Sequence, residues 1–249
     1  MTRIKRSQPA PAILRTAGAA RTAQDCEAHA AGQLVFVADR KIYGDATVKA
    51  ALHAMQHGKC AYCETVVHDN PGTIDHYRPA GEVKQDDGAS LQRPGYFWLV
   101  YEWENLLFAC IDCNQYAKRT RFPLVNPAAR ACAPGDDLTL EEPLLIDPTA
   151  EDPAQFLRFR EELLESIGGN ARGAETIRVL GLNVRRGLVG DRRQSLTLLR
   201  HLVALIEISP DSQKAEDAAA LISRDSGPGG RYRAMMVAAL GNVESGTSA

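Results

Sequence analysis

Residues 60–63 read Cys-Ala-Tyr-Cys and residues 110–113 read Cys-Ile-Asp-Cys, and these two pairs decide how the chain is interpreted. Two residues between paired cysteines let one turn of backbone aim both sulfurs at a single tetrahedral ion. The spacing therefore predicts a structural zinc site with four thiolate ligands: Cys60, Cys63, Cys110 and Cys113. Either pair alone could be a redox motif, but two pairs favour the metal site.

The segment between the pairs contains side chains suited to phosphodiester hydrolysis. Asp75 and His76 follow one another in a β-prone stretch, residues 73–77, which is predicted to be a strand. A neutral imidazole can take a proton from water near neutral pH. The side-chain oxygens of Asp75 and Asn114 can bind a hard divalent cation, which would stabilise charge on the scissile phosphate. An Asp-His pair is weak evidence alone, and its position between the cysteine pairs gives it weight.

The remaining pattern predicts an α+β fold in which a small core is embedded in a mostly helical protein. A second apolar strand is expected at residues 105–110, and a short helix carrying Asn114 and Lys118 should follow it. Trp98 and Trp103 are expected in the core. Further helices are predicted at residues 46–57, 153–167, 174–182 and 188–208, with a loop at 80–95 and a turn at 69–72.

Length and composition indicate an ordinary globular chain. It has 249 residues, 45% of them hydrophobic and 24% charged, and no apolar run of about 18 residues. We therefore expect no membrane span and a cytoplasmic location, where cysteines stay reduced. Three segments are predicted: a basic, disordered arm at residues 1–24, for which a transit peptide is the alternative, a core with the cysteine pairs at 25–125, and a helical region at 126–249.

The net charge of −2 hides strong local differences. Residues 168–200 are rich in arginine, whereas residues 135–165 are acidic. A local basic surface is enough to bind nucleic acid, so the nearly neutral total does not exclude that partner. The arginine-rich stretch could lie along DNA, contact a protein partner or simply face solvent.

At this point the chain resembles a known family, the HNH endonucleases. The resemblance rests on the two cysteine pairs and on two stretches, residues 74–79 (Ile-Asp-His-Tyr-Arg-Pro) and 103–107 (Trp-Glu-Asn-Leu-Leu). Asn114 and Lys118 also match. His76 and Asn105 would take the first two positions of the motif, and Asn114 the last. The resemblance implies a ββα-metal finger, in which two strands and a helix surround one catalytic metal and the zinc knuckles join the ends.

Further stretches narrow the resemblance to the nuclease subunit of Septu-type and retron-associated anti-phage systems, the PtuB family. They are residues 77–79, 101–107, 122–124 and 142–148, and the similarity extends over residues 55–205. Members of that family act beside an ATPase of the ABC or SMC-like type, PtuA. Ala80 departs from the pattern, because we expect lysine there, and a phosphate contact would be lost with it.

The resemblance also implies a role for each matching residue. His76 would be the general base, Asp75 and Asn114 would hold Mg²⁺ or Mn²⁺, and Asn105 would orient the loop that bears His76. Phosphate contacts would come from Lys118, Arg78 and Arg119. The implied activity is metal-dependent hydrolysis of nucleic acid, with DNA as the favoured target.

Two other functions remain open from the sequence. A non-catalytic zinc-binding module could grip nucleic acid or protein, but it would not need Asp75, His76, Asn105 and Asn114 together. A zinc hydrolase is the weaker alternative, because zinc bound by four thiolates has no open position for water.

Overall fold

The computed structural model describes residues 1–67 and 72–246, with side chains described to residue 241. The turn predicted at residues 69–72 falls outside this range except for its last residue. The described α-helices, in chain order, are α1 (Ala19–Ala30), α2 (Arg40–Tyr43), α3 (Ala46–Met55), α4 (Ala171–Val179), α5 (Arg186–Ile208), α6 (Gln213–Ser226) and α7 (Arg233–Gly246). The described strands are β1 (Gly72–His76), β2 (Leu106–Cys110), β3 (Leu157–Arg160) and β4 (Leu163–Ser166).

Helices and small sheets share one chain, so the predicted α+β class is confirmed at this level. β1 and β2 are antiparallel, with Gly72 opposite Cys110 and His76 opposite Leu106. Gly72 is required by close packing, because a Cβ atom there would overlap the ring of Phe108. Both strands lie within a residue of their predicted positions.

Among the described residues no strand pairs with the outer edge of β2, and a side chain bonds to that edge instead. Gln56, just after α3, accepts a hydrogen bond from the Phe108 N–H at 2.9 Å and donates one to the Phe108 carbonyl at 2.7 Å. The Ala61 N–H donates to the same carbonyl. These bonds satisfy buried backbone groups and fix the end of α3 against the strand pair.

A short helical segment follows β2 as predicted. Residues Asp112–Lys118 form a π-helical turn, which we call the finger helix. It ends at Arg119, whose φ of 53° is left-handed. β1, β2 and the finger helix pack together in the order strand, strand, helix along the chain. Whether this unit is a ββα-metal finger in the HNH sense stays a prediction.

The helix predicted at residues 153–167 is wrong. The chain forms a short 3₁₀ turn, Pro153–Gln155, followed by the hairpin of β3 and β4. Burial alternates in β3, with Leu157 buried and Arg158 exposed, which is the period of a strand. Arg158 pairs with Glu165 across the hairpin, and Glu161 turns the chain with a φ of 54°. The spacing of the apolar residues fits both a helix and a strand. The turn at Glu161, together with the cross-strand pairing, gives the hairpin.

The first 24 residues depart from the expected disordered arm. Met1, Ile4 and Leu14 are buried, and a helical run from Leu14 to Gly18 continues into α1. The Ile4 N–H donates to the Pro148 carbonyl at 2.7 Å. A few apolar residues are enough to attach this basic, alanine-rich segment to the core. The average composition of the segment does not reveal them. Buried residues of all three predicted segments belong to one hydrophobic cluster, and the boundaries at 25 and 126 stay a prediction.

No helix of the described residues combines the length and the apolar character that crossing a lipid bilayer requires.

Candidate metal-dependent site

The four paired cysteines converge. Their sulfur atoms all lie within 4.8 Å of one another, and the Sγ atoms of Cys63 and Cys110 are 3.7 Å apart. A tetrahedral ion with metal–sulfur bonds of about 2.3 Å has sulfur–sulfur edges of about 3.8 Å. The arrangement can therefore hold a metal ion such as zinc, as the spacing of the pairs predicts.

Neighbouring groups support the cluster from outside. The Cys113 N–H donates to Cys110 Sγ at 3.4 Å, and the Arg185 guanidinium donates to Cys113 Sγ at 3.3 Å. The Thr65 hydroxyl lies 3.2 Å from Cys63 Sγ. Four thiolates around a divalent ion carry excess negative charge, and a positively charged donor beside them offsets it. Arg185 directly precedes α5, so its bond to Cys113 also connects the C-terminal helices to the pair of strands β1 and β2.

The cluster and the Asp-His pair lie at opposite ends of the strands. Gly72 pairs with Cys110 at the cluster end, and His76 is four residues further along β1. Four residues of antiparallel strand span about 13 Å. A metal in the cysteine cluster would thus stabilise the fold without reaching the imidazole of His76.

A cavity of about 430 Å³ runs along β1, and all five residues of the strand line it. Four of the predicted site residues line it, namely Asp75, His76, Asn114 and Arg119. It is also lined by Arg40 and Tyr43 of α2 and by Lys49 of α3. The structure thus places the proposed base, both proposed oxygen ligands and three cations around one space.

His76 is held in one tautomer. Its Nε2 lies 3.0 Å from the Val100 carbonyl oxygen, which can only accept a hydrogen bond, so Nε2 carries the proton and Nδ1 keeps its lone pair. The ring of Tyr43 packs against the imidazole edge at 4.8 Å between centroids. Burial lowers the pKa of His76 to about 4. At neutral pH the side chain is therefore a neutral, oriented base.

This lowered pKa predicts an acid-dependent loss of stability. The unfolded chain takes up a proton on this histidine below about pH 6.5, whereas the folded chain resists protonation to about pH 4. Above the pKa that His76 has in the unfolded chain, the neutral side chain makes its full contribution to the free energy of unfolding. It should be lost at about 1.4 kcal/mol per pH unit as the pH falls from 6.5 towards 4. The measurement is the free energy of unfolding of the wild type minus that of His76→Gln across this range, and a flat difference would contradict it.

Asp75 is buried and its two oxygens have different partners. The Tyr62 hydroxyl donates to Oδ2 at 2.5 Å, and the Lys118 ammonium donates to Oδ1 at 3.1 Å. Burial raises the pKa of this carboxyl in spite of the nearby ammonium. The His76 backbone N–H also donates to this carboxylate. A carboxylate has about four acceptor positions, so about one remains for a further cation.

Asn114 offers the second oxygen. Its amide nitrogen donates to the Thr73 hydroxyl at 3.0 Å and to the Ile74 carbonyl at 3.1 Å. Both amide hydrogens are then used on β1, which leaves Oδ1 for a ligand. Asp75 and Asn114 therefore fit a hard cation that keeps most of its water, as Mg²⁺ does. Within the described residues, the cysteine cluster is the only group of three or more His, Cys, Asp or Glu side chains close enough to hold a metal.

Asn105 does not line the cavity but braces the loop after β1. Its Oδ1 accepts from the Arg78 N–H at 2.7 Å, and its amide donates to the carbonyls of Arg78 and Leu99 at 3.1 and 3.0 Å. The loop from His76 to Arg78 is thereby joined to the segment that carries the Val100 carbonyl. The orienting role expected of Asn105 stays a prediction.

Two predicted phosphate contacts do not agree with the structure. Lys118 is fully buried and donates to Asp75 and to the His76 carbonyl, so it has no free surface for a substrate. Arg78 donates to Glu141 at 3.0 Å and stacks over aromatic rings, including that of Phe122. Both cations are internal ion-pair partners. Arg119 is exposed at the cavity, where a phosphate contact remains open.

The structure also adds residues that sequence reasoning missed. Tyr62 lies between the first two cysteines yet reaches Asp75, and Arg40, Tyr43 and Lys49 come from helices outside the motif. Nothing in their local sequence distinguishes them from ordinary surface or core residues. The one available signal for Tyr62 was its position between Cys60 and Cys63, where a large aromatic side chain is expected to pack into the core.

Comparisons with known proteins give the family. No protein-family model matches the chain. Septu protein PtuB of Bacillus mycoides (strain KBAB4) is 37% identical over 172 residues, which are 67% of this chain and 58% of that protein. PtuB of Bacillus thuringiensis is 27% identical over 153 residues, 61% of this chain and 47% of that protein. The chain thus matches about half the length of these relatives.

A third relative carries a different name. Septu protein PtuA of Bacillus mycoides (strain KBAB4) is 34% identical over 138 residues, which are 55% of this chain and 19% of that protein. A segment similar to this chain therefore occurs within a much larger Septu protein.

The fold and the site define a class, a mixed helix and small-sheet protein with a four-cysteine cluster that could bind a metal. Within that class, the similarity to two PtuB proteins identifies the chain as a Septu PtuB-like protein.

Proposed function

We propose that this protein is a metal-dependent endonuclease of the HNH type. The observation that supports the proposal is the bond between His76 Nε2 and the Val100 carbonyl, 3.0 Å long, which leaves the lone pair on Nδ1 of a side chain that lines one cavity with Asp75 and Asn114. A general base must be uncharged and must present a free lone pair, and this imidazole meets both requirements.

Each residue around the cavity would have its own role in the proposed hydrolysis. His76 Nδ1 would take a proton from a water molecule, whose oxygen attacks the phosphorus atom. The bond between phosphorus and the 3′ oxygen breaks, and the departing 3′ oxygen takes a proton from solvent. Asp75 and Asn114 would hold Mg²⁺ or Mn²⁺, which supplies electrostatic stabilisation of the developing charge when bound. Arg119, Arg40 and Lys49 line the same cavity and would bind the phosphates beside the scissile bond. The products would be a 3′-hydroxyl and a 5′-phosphate.

The proposed setting is anti-phage defence of the Septu or retron-associated kind in the cytoplasm. The relatives named PtuB and PtuA support this setting. We propose DNA as the substrate and an ATPase similar to PtuA as the partner that licenses cleavage. The helical region from α4 to α7 would supply the docking surface.

The test is cleavage of plasmid and single-stranded substrates with Mg²⁺ or Mn²⁺, with and without a PtuA-like ATPase. His76→Ala should lower the rate by about 10²- to 10⁴-fold, the usual contribution of a general base. His201→Ala is the matched control, because this histidine is exposed on α5, and it should cut like the wild type. Zinc content should be equal in all three proteins.

Equal cutting by wild type and His76→Ala would reject the mechanism. A non-catalytic zinc-binding module is the second candidate, and the engagement of both Asp75 oxygens by Tyr62 and Lys118 favours it. In that case the wild type would bind nucleic acid but not cut it with any metal, and Asp75→Asn would leave Mn²⁺ binding unchanged.

A further inference from the structure

A second cavity, of about 410 Å³, lies between residues 1–7, which we call the N-terminal strap, and the end of α3. Arg3 and Lys5 of the strap, Lys59 and Arg233 line it, and none of its described lining residues is acidic. A local excess of positive charge without carboxylates is typical of a surface that binds phosphates.

Three of these cations are available to a ligand. Ile4 is buried while its neighbours Arg3 and Lys5 are exposed, so both of these side chains lie on the solvent side of the strap. Among the described residues neither has an ion pair or a side-chain hydrogen bond. Lys59 is different, because its buried ammonium donates to the Gly230 carbonyl at 3.1 Å and is paired with the Glu64 carboxylate at 3.7 Å.

The Arg233 side chain gives the most specific indication that this cavity binds an anion. Its Nε is buried and has no hydrogen-bond acceptor among the described residues, although the side chain borders the cavity. A buried guanidinium nitrogen without an acceptor costs free energy that an anion in the cavity would recover.

The second cavity is connected to the candidate active site by α3. Lys49 lines the first cavity, and Gln56, directly after α3, lines the second. Seven residues of helix make nearly two full turns, so both residues lie on one side, about 10 Å apart. That distance is roughly three nucleotides of rise along a duplex strand.

The geometry points to a second phosphate-binding site, in which Arg3, Lys5 and Arg233 hold the backbone of a nucleic acid a few nucleotides from the scissile bond. The inference rests on the proposed function only for the position of that bond. Binding at this site requires no catalysis, and it would give the substrate a fixed direction across the protein.

The test measures binding by fluorescence anisotropy in the His76→Ala background, so that cleavage does not interfere. Arg3→Ala/Lys5→Ala should bind a 20-base-pair duplex about tenfold or more weakly at 0.1 M salt, and the log–log salt slope should shrink by about 2. The matched control is Arg158→Ala/Lys214→Ala, which removes two exposed cations from β3 and α6 and should bind like the parent. Melting temperatures should agree, since all four side chains are exposed.

Oligonucleotide length gives an independent result. A dinucleotide is too short to reach both cavities at once, so the strap substitutions should weaken its binding by a much smaller factor than they weaken binding of the long duplex. Equal affinity for the long duplex, the same loss in the control, or no binding by the parent would each overturn the inference. If the strap variant alone loses affinity while the wild type cleaves nothing, the second site stands and the nuclease proposal fails.

Discussion

Removal of the metal from the four-cysteine cluster should unfold the core of this protein. The cysteines join α3, β2 and the finger helix, and three of the four are buried. Apparent binding free energies of structural zinc are on the order of 10 kcal/mol, which is comparable to the whole stability of a typical domain. Without the ion, mutually repelling or protonated thiols would remain at the centre of the fold.

The measurement is thermal unfolding followed by circular dichroism, before and after a strong zinc chelator, with the metal content determined in parallel. We expect one zinc per chain and a transition lost or lowered by more than about 20 °C. Cys113→Ser should reproduce the effect, because it removes one buried ligand. Cys132→Ser is the matched control, since Cys132 is exposed and lies outside the cluster. A chelated protein that melts like the metal-bound form would contradict a structural role.

The parts of the site that could be predicted are those encoded within a few residues of one another. The cysteine spacing predicts the cluster, and the β-prone stretch around Asp75 predicts the strand that presents His76. Asn105 was also anticipated as a brace, and its side chain bonds the backbone of Arg78, but its role stays a prediction. Each of these inferences needs only local backbone geometry and the chemistry of one side chain.

The parts that could not be predicted depend on the third dimension. The finger helix carries Asn114 towards the cavity and Lys118 into the core, and four residues of sequence do not reveal that difference. Arg40 and Lys49 reach the cavity from helices that precede the motif. The hairpin of β3 and β4 has an apolar spacing that also suits a helix, and the turn at Glu161 together with the cross-strand pairing distinguishes the two.

Replacing Lys118 by methionine should destabilise the protein by about 3–5 kcal/mol, because it leaves Asp75 buried without its cationic partner. Both side chains are almost inaccessible, 0% and 3% exposed, so solvent would not compensate the carboxylate. The pKa of Asp75, already raised by burial, should rise further. Lys214→Met, an exposed lysine of α6, is the matched control and should leave the melting temperature unchanged.

A second substitution separates the ion pair from simple packing. Asp75→Asn removes the negative charge, so adding it to Lys118→Met should restore part of the lost stability, and the two effects should not add. The predicted phosphate role of Lys118 makes the opposite forecast: unchanged stability, weaker binding of nucleic acid and a salt slope smaller by about 1. A Lys118→Met protein that melts like the wild type but binds DNA poorly would therefore reject the buried ion pair and return Lys118 to the substrate-binding surface.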